Sequence, residues 1–100
     1  MIKHIVMWKL KDEAEGADRL ANAREMKRRL DACAYIVPGI LTFEVTLAHP
    51  GLEATYYVVL YSEFENKAAL DAYAVHPTHK AVAPFIGAIR EARQCMDYEV

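Results

Sequence analysis

Residues 2–10 alternate in character. Ile2, Val6, Trp8 and Leu10 share one side with His4, and Lys3, Ile5, Met7 and Lys9 share the other. A period of two predicts a strand. Residues 11–18 break the pattern with polar and charged side chains, and the period then lengthens. Leu20, Ala23, Met26, Leu30, Cys33 and Val37 recur at spacings of three and four, as one face of a helix requires. Arg24, Lys27, Arg28 and Asp31 fall on the opposite face, so the run Lys27-Arg28-Arg29 reads as solvated helix surface. Pro38-Gly39 stops that helix. Strands are predicted over 40–48 and 55–64, separated by the loop signal His49-Pro50-Gly51. Asn66 suits the N-cap of a short helix over 67–75. Pro77 suits the first turn of a further helical piece over 78–90, which Pro84 is expected to kink. Residues 93–100 alternate again.

The order β-α-β-β-α-β is the ferredoxin-like signature of the α+β class. It predicts one domain over residues 1–100, with a four-stranded antiparallel sheet in the order 4-1-3-2. The strands' side chains fit that order. The third carries Tyr57, Val59 and Tyr61 on one face and Tyr56, Val58, Leu60 and Phe64 on the other, so both faces are apolar. The first is apolar on one face and half apolar on the other through Ile5 and Met7. The second sets Leu41, Phe43, Val45 and Leu47 against Thr42, Glu44 and Thr46, and the fourth also has one polar face. Two helices cover one face of such a sheet, and a second face left in water is normally polar. Covering a few hundred Å² of apolar surface is worth on the order of 10 kcal/mol before association costs. The expected partner is therefore a second copy, with two sheets face to face in a dimeric α/β barrel.

Composition narrows the function classes. The chain is 54% hydrophobic and 26% charged with a net charge of −2, which excludes a disordered tail and offers no basic footprint for nucleic acid or an anionic membrane. No apolar run approaches the roughly 18 residues of a membrane span. The opening Met-Ile-Lys-His lacks the apolar core of a signal peptide, so a cytoplasmic location is expected. Cys33 and Cys95 form neither a CxxC pair nor a zinc pattern and read as buried thiols of a reducing compartment.

The candidate chemistry lies in four histidines. His49 sits beside Pro50 in a loop and reads as solvated. His4 shares a strand face with Val6 and Trp8, as a satisfied core residue or as part of a pocket. His76-Pro77-Thr78-His79 is the more suggestive segment. A histidine in a first helical turn is kept neutral by the helix dipole, and a neutral imidazole is a competent general base near pH 7. Tyr73 lies six residues before His79, and a break at Pro77 would let phenol and imidazole converge on one pocket. The alternative is that His76 caps the helix and His79 packs. A metal on His76 and His79 would need a third ligand, and no carboxylate nearby has the spacing, so no metal is expected. No haem or flavin motif is present either, and no cofactor is expected.

The segments Ile2-Lys3-His4-Ile5-Val6-Met7-Trp8-Lys9-Leu10-Lys11, Val37-Pro38-Gly39-Ile40, Ser62-Glu63-Phe64-Glu65-Asn66, Ala72-Tyr73-Ala74-Val75-His76-Pro77-Thr78-His79 and Met96-Asp97-Tyr98-Glu99-Val100 resemble the stress-responsive dimeric α/β-barrel (Dabb) family over essentially the whole chain. The resemblance implies a ferredoxin-like homodimer. One plant member closes a linear polyketide to olivetolic acid by aldol condensation. By similarity its catalytic histidine falls on His79, its active-site tyrosine on Tyr73 and its strand-one histidine on His4, while a further pocket histidine is matched here by Val58. The resemblance thus implies His79 and Tyr73 as catalytic residues. His4, Val6, Trp8, Val58 and His76 would line a pocket for a small apolar or aromatic ligand. The activity would be cyclase-like or isomerase-like; a non-catalytic ligand-binding or stress-protection dimer is the second expectation, and a monooxygenase of the same barrel shape the third.

Overall fold

The computed structural model describes all 100 residues. Strand β1 (Ile2–Leu10) leads into a small hairpin, β2 (Glu13–Ala14) and β3 (Ala17–Asp18), and then helix α1 (Arg19–Asp31). Strands β4 (Ile40–Leu47) and β5 (Val58–Phe64) follow. The second helical region is three pieces, α2 (Lys67–Val75), α3 (Pro77–Lys80) and α4 (Ala83–Ile89), and β6 (Arg90–Glu99) closes the chain. The four long strands form one antiparallel sheet in the order β4-β5-β1-β6, a ferredoxin-like α+β architecture.

Several boundaries differ from the expectations above. Residues 13–18, irregular by pattern, form a hairpin. Its turn residues Glu15 and Gly16 both have positive φ, 52° and 74°, which is the twist a two-residue hairpin needs, but the pair lacks the Asn-Gly signal. Helix α1 starts where Asp18 accepts a 2.8 Å hydrogen bond from the Ala21 amide. It ends at Asp31 rather than at Pro38. The amides of Cys33 and Ala34 bond three residues back, and Tyr35 takes a φ of 60° that no helix continues. Cys33 still reaches the core from that last tight turn, whereas Val37 packs against it from the connecting segment. The piece over 78–90 is not one kinked helix. Pro84 stands in the first turn of α4, where its missing N–H costs nothing, and a turn at Ala81 and Val82 separates α3 from α4. Strand β5 starts three residues late and β6 three residues early.

Even-numbered residues of β1 and β5 face the helices. Val6, Trp8, Leu10, Val58, Leu60 and Phe64 are buried there against Met26, Leu30, Tyr73 and Ile89. The odd-numbered face is uncovered. On it Ile5 lies between Tyr61 and Met96, and Met7 between Val59 and Gln94. Met7 and Met96 are 38% and 66% exposed.

Candidate functional site

Between the helix-side face of β1 and the segment α3–α4 lies a cavity of about 220 Å³. Its walls are apolar: Val6, Trp8, Leu30, Leu60, Val82 and Ile86. Its polar groups are His4, Tyr73, His79, Arg90 and Arg93. Five of the residues expected at a site therefore meet at one cavity: His79, Tyr73, His4, Val6 and Trp8. Two do not line it. Val58 is buried opposite Trp8 in the β1–β5 register. His76 caps α3, its Nδ1 accepting a 3.1 Å hydrogen bond from the Thr78 amide. That cap and the rigid Pro77 behind it set the direction in which His79 leaves the chain.

The His79 and Tyr73 rings lie 4.4 Å apart between centroids, tilted by 48°. The His79 Nδ1–H donates to the Ala74 carbonyl at 3.1 Å, so in the neutral ring Nε2 keeps its lone pair. Burial lowers the His79 pKa below the ordinary 6.5, the Ala74 carbonyl opposes that, and the His4 and Arg93 charges add to it. Neutrality thus comes from desolvation; the four-residue α3 is too short for the expected helix dipole to supply it. The Tyr73 ring packs on Phe64 and Phe43 at 5.3 and 5.9 Å. Its hydroxyl is buried without a hydrogen-bond partner, and burial pushes its pKa well above 10. The phenol therefore stays protonated. The Trp8 indole N–H is likewise buried and unpartnered.

His4 meets a group that sequence reasoning does not place at a site. Its Nδ1 pairs with Asp97, which stands directly across from it on β6. Arg93, two residue pairs further along the same face, and Arg90 complete the polar side of the cavity. The alternation of Arg93, Cys95 and Asp97 is visible in the sequence, but which residue opposes His4 depends on the strand register. His4, Asp97 and Cys95 also bring three metal-ligating atoms within 4.8 Å of one another, away from the His76–His79 pair. Cys33 and Cys95 are both free thiols, and Cys95 is exposed rather than buried. No helix is long and apolar enough to cross a membrane.

The family model described as "Stress responsive A/B Barrel Domain" matches residues 2–100. The chain is 35% identical over 83 residues to a stress-response A/B barrel domain-containing protein of Arabidopsis thaliana; that match covers 82% of this chain and spans 30% of the relative's length. A dimeric protein of unknown function and ferredoxin-like fold from Bacteroides fragilis superposes with a TM-score of 0.81 at 35% identity, covering 99% of this chain and 95% of the other. A putative antibiotic biosynthesis monooxygenase from Nitrosomonas europaea shares the fold, with a TM-score of 0.76, 18% identity and coverage of 100% and 98%.

Proposed function

From the premise that this chain belongs to the stress-responsive A/B barrel domain family, we propose that it is a homodimer whose cavity binds a small, largely apolar carbonyl compound and moves a proton on it, with His79 as base. One observation carries this reading. Burial favours a neutral His79 ring, and the bond from its Nδ1–H to Ala74 makes Nε2 the basic nitrogen, beside a buried Tyr73 hydroxyl that nothing in the protein satisfies. Nε2 takes a proton from the carbon next to a carbonyl. The Tyr73 O–H then donates to the enolate oxygen as charge gathers on it, in a site with little water to compete. If the enolate attacks a second carbonyl of the same molecule, the outcome is ring closure; if the proton returns to a different carbon, it is isomerisation. Neither route needs an organic cofactor or a metal. The second copy covers the apolar face of the sheet opposite the cavity.

Solvent-deuterium exchange into the methylene of ethyl acetoacetate, followed by proton NMR, tests the proton transfer without requiring the natural substrate. Protein-dependent exchange is expected, and His79→Gln is expected to lower it by about 100-fold or more. Exchange no faster than the buffer background would leave the cavity a binding site only, the second of the three readings.

A further inference from the structure

Trp8 and Tyr73 both line the cavity, and each carries a buried donor, an indole N–H and a phenol O–H, with no acceptor in the protein. A buried donor without a partner is unfavourable in the empty protein and becomes favourable when a ligand brings an acceptor oxygen. Arg90 and Arg93 line the same cavity from exposed positions, Arg93 directly across from Trp8 in the β1–β6 register. Neither takes part in any of the protein's ion pairs. On that face of β6 the nearer carboxylate, Asp97, is already held by His4, and Glu99 stands at the far end of the strand, opposite Ile2. Apart from His4 and His79, the remaining walls are hydrocarbon. An apolar cavity of about 150 Å³ is enough to take benzene, so 220 Å³ holds one ring with short substituents.

We propose that the ligand is a ring-sized keto acid bound as its anion, with its carboxylate on Arg90 and Arg93 at the mouth and its carbonyl oxygen inside, on the Tyr73 hydroxyl and the Trp8 N–H. This deepens the proton-transfer reading and rests on it for the role of the carbonyl. It adds the ligand's charge and its direction in the cavity. Two guanidiniums select an oxyanion over a neutral amide of the same shape. The inner donors select a carbonyl over an isosteric hydrocarbon, because only the carbonyl satisfies them.

Trp8 is the chain's single tryptophan, so its fluorescence reports directly on the cavity. Three probes separate the contributions: 4-acetylbenzoate, the neutral 4-acetylbenzamide, and 4-isopropylbenzoate, which keeps the charge but loses the acceptor. Saturable perturbation by 4-acetylbenzoate is expected, with each of the other two about tenfold weaker. In Arg90→Gln/Arg93→Gln, changed only at exposed positions, 4-acetylbenzoate is expected to bind no better than the amide. In Tyr73→Phe, the advantage of acetyl over isopropyl is expected to shrink. Equal affinity for benzoate and benzamide, or no saturable signal from 4-acetylbenzoate, would overturn the proposal. The readout is binding, so it stays distinct from the exchange assay. Loss of charge selectivity with His79-dependent exchange intact removes only the ligand class. Selective binding without exchange removes only the proton transfer.

Discussion

Tyr73 holds two roles in opposition. Its ring, 1% exposed, is among the largest fully buried side chains, yet its hydroxyl has no partner. An unsatisfied buried hydroxyl costs on the order of 1–3 kcal/mol. Tyr73→Phe is therefore expected to raise the stability of the free protein by about 1 kcal/mol in denaturant unfolding while lowering exchange and carbonyl preference. A less stable variant would mean that the hydroxyl has a partner after all. His79 carries a pH dependence of definite sign. Its folded pKa lies below the 6.5 of an unfolded histidine, so the unfolded chain binds the proton more readily. The contribution of the neutral ring is complete above pH 6.5 and is lost as pH falls through the lower, folded value. The stability advantage of wild type over His79→Gln is expected to shrink between pH 7 and pH 5 in thermal unfolding; an advantage that grows there would reverse the sign of the shift. His79 and Tyr73 are legible in the sequence because both belong to one local segment, Tyr73 through His79, with a proline to turn it. Asp97 and Arg93 are not, because they reach the site only through the pairing of strands some 90 residues apart.

At the scale of elements, periodicity locates the strands and helices, and local backbone geometry moves their ends. The hydrophobic spacing through Cys33 and Val37 continues past the true end of α1, because residues in a tight turn and a connecting segment can cover the same core as a helix face. Pro84 looks like a kink and is a start, since a proline in a helical stretch suits either and only the turn at Ala81 and Val82 decides. Gly39 is the clearest constraint among the connections. Its φ is 91°, and a Cβ there would lie 2.8 Å from the Ala69 Cβ, so the segment after α1 sits directly on α2. Gly51 has a similar φ of 85° but open space around it. Gly39→Ala is expected to cost about 2 kcal/mol or more, and Gly51→Ala less, because it carries backbone strain alone. Equal losses in chemical denaturation would show that the contact with α2 is soft. A loosened α2 would also carry Tyr73, which stands near its C-terminal end.

In the whole molecule, one sheet serves two purposes. Its helix-facing side and the helices enclose the cavity; its other side, with Met7, Val59 and Met96, is uncovered and is the side the proposed dimer would close. Met7→Lys is expected to shift sedimentation velocity at micromolar concentration from dimer towards monomer, since a charge in an apolar contact is left unpaired. An unchanged dimer would place the contact elsewhere. The two-sided apolar character of the central strands is readable from alternation alone, whereas the cavity is not, because its volume depends on how α3 and α4 break apart. The proposed proton chemistry turns on the state of one ring, His79. Long-range ¹H–¹⁵N NMR of the histidine side chains across pH observes that state directly. The expected spectrum shows His79 at pH 7 as the neutral form protonated on Nδ1 and bare on Nε2, with a titration midpoint below 6.5. A ring charged at pH 7, or one carrying its proton on Nε2, would contradict it.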